Sequence, residues 1–153
     1  MYDLALLVHS YLRWVVLGLA LISFVSAMSG WLGQRMWRSS DEQKHQAFIM
    51  ALDAQFLLGL VLYIFLSPTA QAAFADFPAA MKNSVLRFWG LEHAATMFLA
   101  VASAHVGKAM SSRATGSDRH RPMVIGIVIF AFFVLAAFPW PGLEHGRPFF
   151  RGF

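Results

Sequence analysis

Four long stretches of the chain are almost free of charged residues, and most polar residues lie between them. The stretches cover Leu4–Ser29, Ala47–Leu66, Phe88–His105 and Met123–Phe138. Each has close to the roughly twenty apolar residues that a helix needs to cross the hydrocarbon core of a bilayer. The pattern therefore predicts an all-α integral membrane protein in which four helices form an antiparallel bundle.

Capping residues and connecting segments set the limits of these helices. Ser39 and Glu42 have the spacing of a capping box, so helix 2 is expected to start before its apolar run. The stretch Pro68–Lys82 is expected to be a long apolar loop at the membrane surface. The stretch Arg113–Arg121 is expected to be a flexible loop between helices 3 and 4.

Composition supports a membrane protein with a single domain. Only 13% of the residues are charged and 58% are hydrophobic, whereas soluble domains average about a quarter charged residues. Four spans use nearly all of the length without a repeat or linker, so residues 1–153 are predicted to form one domain. The chain has no cysteine, which excludes disulfides, iron–sulfur clusters and cysteine-based zinc sites. A cofactor must therefore be held by His, Met or oxygen ligands.

The distribution of basic residues predicts the orientation of the bundle. Seven of them follow helices 1 and 3, and four fall on the opposite side. Because loops rich in Lys and Arg stay in the cytoplasm, both termini are predicted to lie outside. Topology and anionic lipid explain the formal net charge of +4, so no nucleic-acid partner is expected. The seven are Arg35, Arg38, Lys44, Lys108, Arg113, Arg119 and Arg121, and the four are Lys82, Arg87, Arg147 and Arg151.

Two histidines are expected at the same depth on different helices. His9 lies about 8 Å below the outer end of helix 1, and His93 lies about 8–9 Å below Arg87 at the outer end of helix 3. In an up-and-down bundle these helices are diagonal, about 13 Å apart. Two imidazoles that reach inward could hold a haem iron between them. The alternative is that each histidine is a hydrogen-bonded polar residue inside the bundle.

Arg13 lies one turn below His9 on the same face of helix 1. A guanidinium at that depth needs an anionic or strongly accepting partner. Glu92 is the first candidate, and Gln55 and Asp53 on helix 2 are also within reach. The arrangement indicates either a site for a cofactor carboxylate or a quinone oxygen, or a structural buried ion pair.

His105 differs from the other histidines because an acidic residue, Asp53, lies on the same inner half of the bundle. The two are expected to form a hydrogen bond that locks two helices, with a proton path or a second cofactor as alternatives. His45, His120 and His145 are expected in polar, solvated positions and are assigned no role.

The segment after Phe138 is rich in aromatic residues and arginines. Such residues commonly hold a chain in the lipid headgroup region. The alternative is that this tail folds back as a lid over the outer site. In that arrangement Arg147 or Arg151 would bind propionates or a partner.

Several motifs together resemble a known family. They are His9-Ser-Tyr-Leu-Arg-Trp14, Gln55-x-x-x-Gly59-x-x-x-Tyr63, Arg87-Phe-x-x-x-Glu92-His93, His105-x-Gly107-Lys108 and Pro139-Trp-Pro141. The motifs resemble a family of small four-span bacterial membrane proteins that are often labelled cytochrome b-like, and they cover nearly the whole chain. This resemblance implies a b-type haem in a bacterial inner membrane, with His9 and His93 as the natural ligands.

Three functions are in competition. The leading one is a haem-b electron carrier or a small subunit of a respiratory complex, with Arg13 or Arg87 near the propionates and Glu92 beside the site. The second is a non-catalytic accessory or assembly subunit whose polar residues lock its helices together. The third is an enzyme acting on a porphyrin or a quinone. It rests on a weaker resemblance to small membrane protoporphyrinogen oxidases, whose lysine-containing motif is not evident here. Whether the protein is an enzyme is left open.

Overall fold

Four long helices make up most of residues 1–150, the part of the chain that the structure describes, and no strand occurs within it. In this computed structural model the helices are α1 (Tyr2–Leu32), α2 (Ser39–Val61), α3 (Pro68–Ala75), α4 (Phe77–Ala80), α5 (Ser84–Arg87), α6 (His93–Arg113) and α7 (His120–Ala136). Two π-helical segments, Leu62–Leu66 after α2 and Phe88–Glu92 before α6, and a 3₁₀ turn, Gly116–Arg119, extend them. The prediction of an all-helical chain is confirmed for these residues.

Three helical segments are long and apolar enough to cross a membrane. They are Tyr2–Leu32, Ser39–Leu66 and Gly116–Ala136, which correspond to the first, second and fourth predicted spans. The third predicted span, Phe88–His105, is helical as well. It is less apolar than the others because polar residues such as His93 interrupt it.

Each of the four long helices packs against two others. α1 contacts α2 and α7, and α6 contacts α7 and α2, so α1 and α6 lie across the centre from each other. Neighbours run antiparallel: His9 near the start of α1 is hydrogen-bonded to Gln55 in the second half of α2. The diagonal relation on which the predicted convergence of His9 and His93 depends is therefore present.

Glycine residues allow the closest approach between two of these helices. A Cβ atom on Gly107 of α6 would lie 2.8 Å from Cα of Gly126 of α7, and the reverse distance is the same. The two backbones therefore touch directly, as small residues permit in helix pairs.

Two stretches predicted as loops are largely helical. Pro68–Lys82 contains α3 and α4, which begin at the side-chain caps Ser67 and Asp76. Pro68 follows the preceding helical segment and is also the first residue of α3. Its fixed φ suits this position. Arg113–Arg121 contains the end of α6 and the 3₁₀ turn. Only short non-helical connections remain in both places.

A layer of buried apolar side chains lies between the two ends of the molecule. Phe48 of α2 packs edge-on against Phe130 of α7, with ring centroids 5.2 Å apart. Both are buried, as are Leu52 and Met123 of the same cluster. We call the end that holds the N-terminus the outer end and the opposite one the inner end. Each holds a polar cluster on its own side of this layer.

Candidate functional site

A cavity of about 170 Å³ lies at the outer end. Its walls come from α1, α2, the two π-helical segments, α6, the end of α7 and the tail. The apolar layer forms its floor through Leu52 and Phe130. Its basic and amide side chains are His9, Arg13, Gln55, His93 and Arg147. The structure thus brings His9 and His93 to one cavity from diagonal helices, as their depths predicted.

His93 presents one ring nitrogen to this cavity. Its Nδ1 lies 2.9 Å from the backbone oxygen of Ala137, an acceptor, so Nδ1 carries the proton and donates. The ring packs against Phe88 and Trp89, at centroid distances of 5.7 and 5.2 Å. Nε2 therefore keeps its lone pair, which is the arrangement found in metal-ligating histidines.

His9 is held differently, by Gln55. The amide nitrogen of Gln55 donates to His9 Nε2 at 3.2 Å and to the His9 backbone oxygen at 3.1 Å. His9 Nε2 is therefore an acceptor, and its proton is on Nδ1. Gly59 makes room for the ring, since a Cβ atom there would lie 3.1 Å from His9 Cε1. His9 Nδ1 and Gln55 Oε1 are buried without a hydrogen-bond partner among residues 1–150.

Arg13 does not pair with Glu92, so that expectation is wrong. Its Nη2 donates to the backbone oxygen of Phe149 at 3.0 Å, and its guanidinium lies over the ring of Phe138 at 4.7 Å. Glu92 instead accepts from Arg87 Nε at 2.6 Å on the exposed surface. Neither Glu92 nor Arg87 lines the cavity.

The tail folds back over the cavity, which corresponds to the lid alternative. Arg147 lines the cavity and lies over the ring of Trp89 at 4.4 Å. Trp14 donates to the backbone oxygen of Phe149 at 3.2 Å and stacks on Phe150 at 5.5 Å. Arg151, the other arginine named for this role, lies outside the described residues.

His145 is also part of the folded tail. Its ring stacks on Phe88 with centroids 3.7 Å apart and stays partly exposed, so one face of the ring is packed and it does not line the cavity. The carboxylate of Glu144 accepts a hydrogen bond from the hydroxyl of Ser84. These contacts fix the tail to α5 and to the π-helical segment that follows.

The two π-helical segments meet beside the cavity. Tyr63 of Leu62–Leu66 donates its hydroxyl to the backbone oxygen of Gly90 in Phe88–Glu92 at 2.6 Å. Gly90 also admits α3, because a Cβ atom on it would lie 2.4 Å from Cβ of Ala73. Such segments are frequent at functional sites. The sequence did not predict the π-helical geometry, although Tyr63 and the neighbouring Gly59 belong to one of the motifs given above.

The inner end holds a buried cluster that the sequence analysis missed. His45 and His120, expected to be solvated, are 1% and 0% exposed. Their rings lie on Trp37 at 5.0 and 4.9 Å. His120 Nε2 donates to the backbone oxygen of Arg35 at 3.0 Å. Both ring nitrogens of His45 are buried without a partner among residues 1–150.

An ion pair fixes the chain beside this cluster. Asp41, 1% exposed, accepts two hydrogen bonds from Arg35, at 2.8 and 2.9 Å, and one from Ser26 at 2.7 Å. The side-chain hydrogen bond to Asp41 raises the pKa of Arg35. Asp41 also accepts the backbone N–H of Arg38 at 3.0 Å, so it caps α2 in the role expected of Glu42.

The predicted pair of Asp53 and His105 is confirmed. Asp53 Oδ1 and His105 Nε2 are 2.7 Å apart and link α2 to α6. Both side chains are on the outside of the molecule and remote from the cavity lining.

Several polar atoms of the residues that line the outer cavity have no hydrogen-bond partner in the part of the chain that the structure describes. His9 Nδ1, Arg13 Nε and Arg147 Nε are buried donors without a partner among residues 1–150. Gln55 Oε1 and His93 Nε2 are the acceptors. Since buried polar groups are almost always hydrogen-bonded, the set is suited to a ligand with oxygen atoms. No group of three or more His, Cys, Asp or Glu residues within 1–150 could hold a metal ion alone.

Comparisons with known proteins give no relative for this chain: no family model, no curated protein and no solved structure matches it.

Proposed function

We propose that the chain is a bacterial inner-membrane protein whose four long helices form an antiparallel bundle across the bilayer. The support is the outward-facing apolar surface and the continuous helical stretch from Ser84 to Arg113, which is long enough for a fourth crossing. Large exposed side chains on all four helices include Leu21, Val25, Leu57, Phe98, Val106, Phe132 and Leu135.

The basic residues of the inner end support the proposal that this end is cytoplasmic, with both termini outside. Reporter fusions within residues 113–121 test this orientation. A cytoplasmic signal is expected there, and a periplasmic signal would overturn the orientation.

Within this bundle, we propose that the outer cavity binds haem b and that the protein is a membrane electron carrier or a small subunit of a respiratory complex. The observation that carries the proposal is the pair of histidines, His9 and His93, on one cavity. Haem would supply one-electron chemistry there. His93 fits a ligand role as it stands, because Ala137 holds Nδ1 and leaves Nε2 free.

The other residues would hold and shield the ligand. Arg13 and Arg147 supply positive charge for carboxylates from two sides of the cavity. The folded tail contributes Pro139 and Arg147 to the cavity wall. Gln55 occupies His9 Nε2, so His9 becomes a second ligand only when that hydrogen bond is given up. Arg87 and Glu92, which the sequence predicted to contact the cofactor, pair with each other on the exposed surface and do not line the cavity.

The test is an absorption spectrum of protein purified in detergent from haem-replete cells. A Soret band with a reducible alpha band is expected, and His93→Ala should abolish it while leaving helix content unchanged. His9→Ala should remove the low-spin form. His105→Ala is the matched control, since that exposed side chain lies outside the cavity lining. A colourless wild-type preparation would refute haem binding and favour the accessory-subunit function.

A quinone is the second candidate ligand, because the cavity is small and rich in donors. Its volume of about 170 Å³ is below the roughly 300–1,000 Å³ of typical ligand clefts. The unpaired donors of His9 and Arg13 suit carbonyl oxygens, and Gln55 Oε1 suits a quinol hydroxyl. A short-chain quinone should then quench the fluorescence of Trp14 and Trp89 saturably in wild type and not in Gln55→Leu. Unsaturable quenching would exclude this ligand.

A further inference from the structure

The middle of the α2–α6 face carries an ionisable pair on the outside of the molecule. Asp53 and His105, bonded at 2.7 Å, have side chains that are 44% and 45% exposed. Asp53 lies about 9 Å from the inner end of the apolar stretch Ala47–Leu66. Insertion of this helix, which belongs to the proposed function, puts the pair in the inner half of the hydrocarbon core.

Lipid is a poor environment for this pair. The single hydrogen bond that either side chain makes within residues 1–150 is the one between them, through Asp53 Oδ1 and His105 Nε2. Asp53 Oδ2 and His105 Nδ1 are left over. Hydrocarbon offers no hydrogen-bond partner, and ionisable residues at that depth normally face protein. The face around the pair therefore requires a cover that brings polar groups to the same depth.

α2 is also less covered than α1 and α7. Within the most apolar window of Ser39–Leu66, 17% of the residues are buried inside the molecule, against 33% for Tyr2–Leu32 and 39% for Gly116–Ala136. Large apolar side chains surround the pair on this face: Met50 is 62% exposed, Leu57 61% and Phe98 59%. A polar centre with an apolar surround is typical of helix contacts within membranes.

We propose that a second copy of this chain covers the α2–α6 face, related to the first by a two-fold axis along the membrane normal. Such an axis sets residues of equal depth against each other. The Asp53–His105 pair of one copy then lies against the same pair of the other copy, and the two pairs are complementary. The Nδ1–H of each His105 donates to Oδ2 of the opposite Asp53, so both leftover atoms are satisfied.

The absence of cysteine from the chain makes cross-linking a clean test. Met50→Cys and Leu57→Cys place single thiols on either side of the pair. Leu21→Cys and Phe132→Cys, on α1 and α7, are controls of similar exposure, 63% and 66%. In native membranes a short bis-maleimide should give dimers with the first two variants only. Monomers throughout, or equal yields in the controls, would overturn the proposed face.

The polar basis of the contact is tested separately. The double variant Asp53→Leu/His105→Leu should weaken dimerisation roughly tenfold, from two lost interhelical hydrogen bonds. Energy transfer between labelled copies in lipid vesicles measures this. Arg87→Leu/Glu92→Leu, which removes an exposed ion pair at the outer end, should leave dimerisation unchanged. Wild-type dimerisation of Asp53→Leu/His105→Leu would refute the inference.

These outcomes are separable from those of the proposed function. A colourless protein that cross-links through Met50→Cys would end the haem proposal and leave the dimer intact. A haem-loaded protein without cross-links would do the reverse. Recovery of the chain in the soluble fraction would refute both, since both require insertion.

Discussion

Gly30 is the position where the smallest change should have the largest effect. It lies on α1 directly against the ring of the buried His120. A Cβ atom on Gly30 would lie 2.3 Å from His120 Cε1 and 2.4 Å from Nε2. Gly30→Ala therefore adds one methyl group to the tightest contact of the inner cluster.

The loss of stability in Gly30→Ala follows from the contacts that the His120 ring would lose. A carbon contact needs about 3.5 Å, so the His120 ring must move by roughly 1 Å. It is held by Trp37 at 4.9 Å and by its hydrogen bond to the Arg35 backbone oxygen. Overpacking costs about 1–3 kcal/mol, and loss of the hydrogen bond costs about 1 kcal/mol more. Alanine recovers about 1 kcal/mol of helix propensity, which leaves a net loss of about 1–3 kcal/mol.

Gly18→Ala is the matched control, because a Cβ atom on Gly18 meets nothing within 4 Å. Denaturant unfolding in micelles, followed by circular dichroism, should separate the two variants by about 2–4 kcal/mol, since propensity cancels between them. In a His120→Ala background, which removes this contact, Gly30→Ala should behave like Gly18→Ala. Equal stability of the two glycine variants would show that the reasoning about this contact is wrong.

Two further predictions concern the polar contacts at each end. Asp41→Asn should lower the free energy of unfolding by about 2–4 kcal/mol, because it weakens the buried hydrogen bonds to Arg35 and Ser26. Asp118→Asn, at an exposed position, should change the free energy of unfolding little. Equal melting curves for the two variants would contradict this role of Asp41. Arg13→Met should release the tail, since the hydrogen bond from Arg13 to the Phe149 backbone oxygen is lost. A protease should then cut the chain after residue 140 faster than in wild type or in the exposed control Arg121→Met. An unchanged rate of cutting would show that Arg13 does not hold the tail.

The long helices could be predicted because apolar length is a local property. α1, α2 and α7 follow long apolar runs, which only a few ionisable residues such as His9, Arg13 and Asp53 interrupt. α1 and α2 begin before these runs, whereas α7 ends before Phe138. The loop Pro68–Lys82 was not recognised as helical because its two helices are short. Their ends depend on single caps, Ser67 and Asp76. π-helical segments leave no comparable pattern in a sequence.

The outer site was partly predictable for a related reason. The equal depth of His9 and His93 follows from counting residues along two helices. The diagonal placement of these helices follows from their order along the chain. The partner of Arg13 does not follow from either, because Phe149 reaches it only when the tail folds back. Glu92 was the expected partner because its depth is similar to that of Arg13, but it lies on the outside of its helix and pairs with Arg87.

His45 and His120 show how a neighbouring charge misleads. Lys44 and Arg119 suggested solvated loops, yet Lys44 extends away from His45 and donates to Ser26. The capping pattern at Ser39 already placed His45 inside α2, on the same face as the buried Phe48 and Leu52. That periodicity was the signal that would have found it.

The apolar layer of Phe48 and Phe130 has a consequence for the outer cavity. Protons move through proteins along chains of polar groups and water, whereas the side chains of this layer, which include Leu52 and Met123, are apolar. A ligand in the cavity would thus be separated from the histidines of the inner end by apolar side chains. A redox ligand there would exchange protons more readily on the side of the tail, so its midpoint potential would follow the acidity of that side.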